Sequence, residues 1–319
     1  MAQIHHFEYG ALTPTVSYIL SVLGSLLGLT SAVRLRSAKT SGERFWWLTL
    51  AAVAIGATGI WSMHFVAMMG FDVDGTPIRY DIGLTVASAV IALVSVGVGL
   101  SIALLGRTAS KIRILIGGIL AGLGVAAMHY TGMAAMQLRG EIHYSGREVI
   151  ASIAIAVVAA TVALWLTLVV TKPIAIFISA LVMGVAVNGM HFTGMLAMSV
   201  VPEAEFGSVE GATAAGLLVP VGAAVVFAII GMGYALVSAP TEEDRAAAEY
   251  LRARIDTRHA QERAQAKTSA QVPFGGQPAG QQWQQPQPQP QQQQQQSGNR
   301  AGRTTLGDGS WTYRDRGRQ

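Results

Sequence analysis

Apolar residues run along this chain in seven long stretches separated by short polar segments, near residues 15–33, 46–69, 82–105, 112–136, 148–171, 174–199 and 214–237. At 1.5 Å rise per residue, each is long enough as a helix to cross a ~30 Å hydrocarbon core. The pattern predicts an all-α membrane protein with seven transmembrane helices. It breaks abruptly at Pro240. From Thr241-Glu242-Glu243-Asp244, which can cap a helix, mixed charge continues to about Lys267, and Tyr250, Leu251 and Ile255 supply too little apolar surface for a core. This predicts a charged cytoplasmic helix over 241–268. The remainder, 269–319, is rich in Gln, Pro and Gly, including the run Gln291 to Gln296, and is expected to be disordered because it cannot bury enough apolar area. The N-terminus lacks the basic region and cleavage site of a signal peptide, so the first span is expected to stay in the mature protein.

Within the second, fourth and sixth stretches one hexapeptide recurs near the end: Met63-His64-Phe65-Val66-Ala67-Met68, Met128-His129-Tyr130-Thr131-Gly132-Met133 and Met190-His191-Phe192-Thr193-Gly194-Met195. Residues four apart on a helix lie one above the other, so His64 and Met68, His129 and Met133, and His191 and Met195 each share a face. Met136 and Met198 continue the stripe in the second and third copies, where the first copy has Phe71. The histidines are 65 and then 62 residues apart, and each interval holds one crossing in each direction. The core therefore reads as three copies of a two-helix unit plus a seventh span, a plan that gathers equivalent residues at the repeat interface. Gly118 and Gly122 form a small-xxx-small pair suited to close helix packing, and Asn188 reads as an interhelical hydrogen-bonding residue.

Charge sets the expected orientation. The first, third and fifth loops carry Arg34, Arg36, Lys39, Arg44, Arg107, Lys111, Arg113 and Lys172, against Arg79, Arg139 and Arg147 in the others. The positive-inside rule then predicts an inner (plasma) membrane protein with its N-terminus outside, its C-terminus in the cytoplasm and all three motifs near the outer face. The net charge of +4 owes much to these loops and the C-terminal end, and reads as a response to topology and anionic lipid rather than as a nucleic-acid footprint. There is no cysteine, so a metal site must use His, Met or carboxylate.

Imidazole with thioether suits Cu(I), and Cu(II) where imidazoles dominate. One helix supplies at most a His-Met pair, so a site needs two or three motif helices. Asp72, Asp74, Asp81, Glu141, Glu203, Glu205 and Glu210 stand in the outer loops where they would attract cations, and His5, His6 and His143 lie on the same side. Haem held by two facing histidines is the rival cofactor. Phosphate loops, zinc-protease helices, nucleophile elbows and kinase signatures are missing from the sequence, so an enzyme is not expected.

At the triplicated motif the chain closely resembles the MHYT family of bacterial integral-membrane sensor domains, named for the sequence standing here as Met128-His129-Tyr130-Thr131, over roughly residues 10 to 240. The resemblance implies a seven-helix sensor domain over 10–240. It also implies copper held by His64, Met68, His129, Met133, His191 and Met195, with Met63, Met128 and Met190 as secondary candidates, and sensing of O2, CO or NO. Phe65 and Phe192 depart from the tyrosine of the name, which puts a shared role for its hydroxyl in doubt. Many relatives carry a cyclic-di-nucleotide or histidine-kinase domain after the membrane region, where this chain has the charged helix and the tail. Signalling is therefore expected to pass to a separate cytoplasmic protein. A copper carrier, or a haem-bearing membrane redox protein, is the alternative.

Overall fold

The computed structural model describes residues 4–5, 7–74, 76–106, 111–202, 209–238 and 242–270. Among these residues, seven helices are long and apolar enough to cross a membrane: α1 (Leu12–Ser37), α2 (Ser41–Met68), α3 (Ile82–Leu104), α4 (Lys111–Ala134), α5 (Gly146–Val169), α6 (Pro173–Leu196) and α7 (Ala214–Val237). This is a multi-pass membrane protein, and the spans match the apolar stretches of the sequence to within a few residues. The eighth helix, α8 (Glu242–Ala270), is the charged segment. Thr241 and the Gln-rich tail from 271 onward lie outside the described residues, as do His6, Glu203 and Glu205.

Helices α1 to α6 pack in chain order and close into a ring, α6 returning to α1, while α7 lies against α1 and the middle of α2. In a bilayer the apolar side of a helix need not face inward, because hydrocarbon solvates it equally well. On α3 the bilayer-facing row is Val86, Val90, Val94 and Val98, and the buried row is Thr85, Ser88, Ala92 and Val96. Small and hydroxylic residues mark the interior. At their closest, α1 and α2 nearly touch through backbone: a Cβ on Gly24 would lie 2.4 Å from Gly59 Cα.

The ends of the helices are tied by polar contacts. Thr40 caps α2 by accepting from Glu43 N at 3.1 Å, and Asp81 caps α3 by accepting from Leu84 N at 2.7 Å. From the last turn of α1, Arg36 donates to the Leu168 and Val170 carbonyls at the end of α5. Such a cation satisfies carbonyls left unpaired at a helix C-terminus.

Two features depart from the plain helical reading. The middle of α2, Val53–Ser62, is π-helical over ten residues, with Ser62 Oγ donating to the Ala57 carbonyl at 2.8 Å. The end of the bundle that carries the motifs is also closed by strands: β1 (Ile4–His5) pairs antiparallel with β2 (Asp72–Val73), β3 (Arg79–Tyr80) with β4 (Met136–Gln137), and β5 (Gly140–Tyr144) with β6 (Met198–Pro202). In each case the segment before the first helix of a pair meets the segment after the second. Each repeat is thus a strand, two helices and a strand. Met136 and Met198, which the sequence places on the helical stripe, stand instead in β4 and β6, because α4 ends at Ala134 and α6 at Leu196.

Candidate metal centre

The motif helices α2, α4 and α6 take alternate places in the ring, so repeat-equivalent side chains meet on its axis. His64, His129 and His191 are 1%, 0% and 1% exposed. Nδ1 of His64 lies 3.0 Å from Nδ1 of His191 and 3.2 Å from Nδ1 of His129. The ring planes cross at 68°, 80° and 90°, forming a three-bladed propeller with the Nδ1 atoms at its hub.

Protons satisfy this hub only in part. Each neutral Nδ1 offers one proton or one lone pair. His64 can therefore make a full hydrogen bond with only one of its two neighbours, and the third Nδ1 is left with a shared one. A cation at the hub would accept all three lone pairs. The protons would then sit on the Nε2 atoms, which are buried and have no hydrogen-bond partner among the described residues. Each such orphan costs about 1–3 kcal/mol, and an ion at the hub does not relieve it. Nε2 of His64 rests over Gly132 and Nε2 of His129 over Gly194; a Cβ at either glycine would come within 2.2 Å of the nitrogen. The motif glycines therefore make room for the imidazole of the preceding repeat. Metal–nitrogen bonds of ~2.0–2.1 Å hold three ligand nitrogens ~3.3–3.6 Å apart, so the hub fits a first-row ion after an outward shift of a few tenths of an ångström.

The methionines sort into layers on either side. Met68, Met133 and Met195 lie in one buried cluster with Met136, Met198, Phe65, Phe71 and Tyr80, toward the strands. Phe71 joins that cluster where the other two copies supply methionine. Met128 and Met190 belong to the bundle interior on the opposite side, and Met63 is buried at 1% exposure. Five thioethers thus form an apolar layer on the strand side of the motif helices, whose histidines are closed off from water.

A second set of residues, not singled out from the sequence, holds the motif helices in register. Ser17, Ser88 and Ser152, one on each of α1, α3 and α5, are fully buried. Trp61 Nε1 donates to Ser88 Oγ at 3.0 Å, the Tyr130 hydroxyl pairs with Ser152 Oγ at 2.7 Å, and Ser17 Oγ donates to Asn188 Oδ1 at 2.9 Å. Asn188 also donates to Ser21 Oγ at 2.7 Å, as its interhelical role requires. The sequence signal was a serine isolated in an apolar stretch, but such serines also bond to their own helix, as Ser101 does to Gly97. Among the loop carboxylates, Asp81 serves as the α3 cap, and Glu141 lies 3.6 Å from His143 Nε2 on the exposed β5 strand.

Comparison with known proteins agrees with the threefold plan. The profile of the family described as "MHYT: Bacterial signalling protein N terminal repeat" matches residues 58–118, 122–180 and 184–251. The bifunctional diguanylate cyclase/cyclic di-GMP phosphodiesterase MucR of Pseudomonas aeruginosa is 38% identical over 195 residues, covering 60% of this chain and 28% of that protein. Signaling protein YkoW of Bacillus subtilis is 33% identical over 200 residues, 60% of this chain and 24% of YkoW. The cyclic di-GMP phosphodiesterase NbdA of P. aeruginosa is 34% identical over 158 residues, 48% of this chain and 20% of NbdA. The chain thus spans about a quarter of the length of the curated relatives it matches. No solved structure matches it.

Proposed function

The chain belongs to the MHYT family of bacterial signalling proteins, and from that premise we propose that it is a membrane sensor whose input centre is a copper ion held by His64, His129 and His191 through their Nδ1 atoms. The observation that carries this reading is the convergence of three buried Nδ1 atoms, with neighbouring pairs at 3.0 and 3.2 Å, in a hub that protons satisfy only in part. Copper bound there would supply a Lewis-acidic, redox-active ion able to take one further small ligand, and a diatomic gas (O2, CO or NO) is the ligand class this reading favours. The chain's own residues do the rest. Gly132 and Gly194 seat the imidazoles of His64 and His129, the serine braces fix the helices that carry them, and Met68, Met133 and Met195 offer a soft second layer that keeps water out. A ligand can shift such a bundle only through its differential affinity for two helix arrangements. Output would pass to a cytoplasmic signalling protein; that the output is signalling is supported by the roles for which MucR and NbdA are named.

Haem suits the hub poorly. A porphyrin must lie between its two axial nitrogens, and here the imidazoles meet at hydrogen-bonding distance with a third packed against them. A copper carrier would need ligands continued through the span. Met183, deeper on α6, instead lines an apolar cavity.

Metal analysis and an optical spectrum of the purified full chain test the proposal. About one copper per chain and no haem band are expected, with His64→Ala, His129→Ala and His191→Ala each weakening copper binding at least about tenfold, as loss of a metal's supporting residues typically does. A folded triple variant that still holds its full copper would overturn it.

A further inference from the structure

Below the triad, a cavity of about 500 Å³ opens within the bundle and follows α5 from Ala154 to Thr167, a rise of about 20 Å. Its inner wall is built by Ile55 of α2, Val96 and Leu100 of α3 and Val125 of α4, side chains that belong to the interior of the ring. Its outer margin is built by Val158 and Val182, which are 63% and 54% exposed on the bilayer-facing surfaces of α5 and α6. The cavity therefore joins the hydrocarbon to the ring interior. Of its lining side chains only Ser25 and Thr167 carry a hydroxyl, and that of Thr167 is given to the Leu164 carbonyl at 2.6 Å. Water needs two to four polar partners to reside in a cavity and does not find them here.

The far end of the cavity has a different character. One turn past Thr167, the Arg36 guanidinium sits on the Leu168 and Val170 carbonyls, and a guanidinium has five N–H donors, so some remain for another acceptor. Arg34, in the same last turn of α1, and Lys172, at the start of α6, add positive charge at that end of the helices. An apolar slot about 20 Å long, somewhat longer than one ~15 Å leaflet, thus ends at a cluster of cations.

We propose that this cavity binds one acyl chain of a membrane phospholipid, inserted between α5 and α6, with the headgroup phosphate at Arg36. The chain occupies the apolar slot, and the cations meet the anionic headgroup at the membrane surface. At its other end the chain reaches Met190, the neighbour of His191, so its presence sets the packing directly beneath the triad. The site is independent of what the triad holds.

The full chain, reconstituted in bilayers containing a phospholipid with a diazirine near the end of one acyl chain, is irradiated and the adducts are mapped by mass spectrometry. Adducts are expected on the interior residues Ile55, Val96 and Val125. Filling the slot by Ala163→Phe or Ala186→Phe should reduce these at least about fivefold while leaving adducts on the bilayer-facing Val86 and Val90 unchanged. Arg36→Gln should lower interior labelling as well. Wild-type adducts confined to bilayer-facing side chains would overturn the proposal whatever the variants do, and so would interior labelling undiminished in a folded, filled variant.

Discussion

Tyr130 illustrates how much one atom's surroundings decide. Its hydroxyl is paired with Ser152 at the edge of the bundle, whereas its neighbour His129 points to the hub. In the other two repeats phenylalanine replaces this tyrosine, and the corresponding serines are engaged by Trp61 and Asn188 instead. The hydroxyl is therefore a brace, and the same bracing is achieved by three different residue types. Tyr130→Phe should leave copper content unchanged and lower stability by about 0.6 kcal/mol and by no more than about 1.7, the average and the largest value measured for hydrogen bonds between membrane helices. Ser152→Ala should cost about as much, and the double variant little more, since both remove one interaction. Thermal unfolding and metal analysis of the three variants read this directly; a loss of copper in Tyr130→Phe would make the hydroxyl a ligand.

At the level of elements, the motif segments behave as the periodicity requires, with each histidine on a helix and its i+4 methionine buried on the strand side. The π-helical run in α2 is another matter. Nothing in the composition of Val53–Ser62 separates it from an ordinary apolar helix, and it arises where α2 is pressed by α1, α3 and α7 together. The strands were equally hidden. Four of the six are two residues long, and they exist because the paired segments are brought side by side by the helices. By contrast, α8 announces itself through charge, and its described side chains are exposed along its length. A chain ended after Ser238 should therefore insert, keep its thermal stability to within about 0.5 kcal/mol, as expected when exposed residues are removed, and retain its metal, while losing any cytoplasmic protein that co-purifies with the full chain. Loss of metal on truncation, seen by metal analysis, would assign the segment a part in the site.

For the whole molecule, the ring of six helices with a seventh outside places every motif at one end, and orientation is then a single choice for the entire protein. The Lys/Arg excess at the opposite end argues that the motif end faces out. Because the chain has no cysteine, single substitutions report sides cleanly. Tyr144→Cys should react with an impermeant maleimide on intact cells, and Lys172→Cys only after permeabilisation. The reverse pattern would invert the topology and move the triad to the cytoplasmic side.

The sequence by itself determined the spans, the threefold repeat and the candidate histidines, because hydrophobic length and recurrence are properties of the chain that survive any packing. It also placed Asn188 among the interhelical bonds, since an amide in an apolar stretch must find a partner. Only the tertiary structure decided that Nδ1 is the converging atom, that the motif glycines seat the preceding repeat's imidazole, and that the methionines divide into separate layers instead of standing beside the histidines as one ring. These depend on helix rotation and axial offset. In a membrane core, hydrophobicity does not fix either of them, because lipid and protein interior are equally apolar; close packing through small residues and the serine braces does.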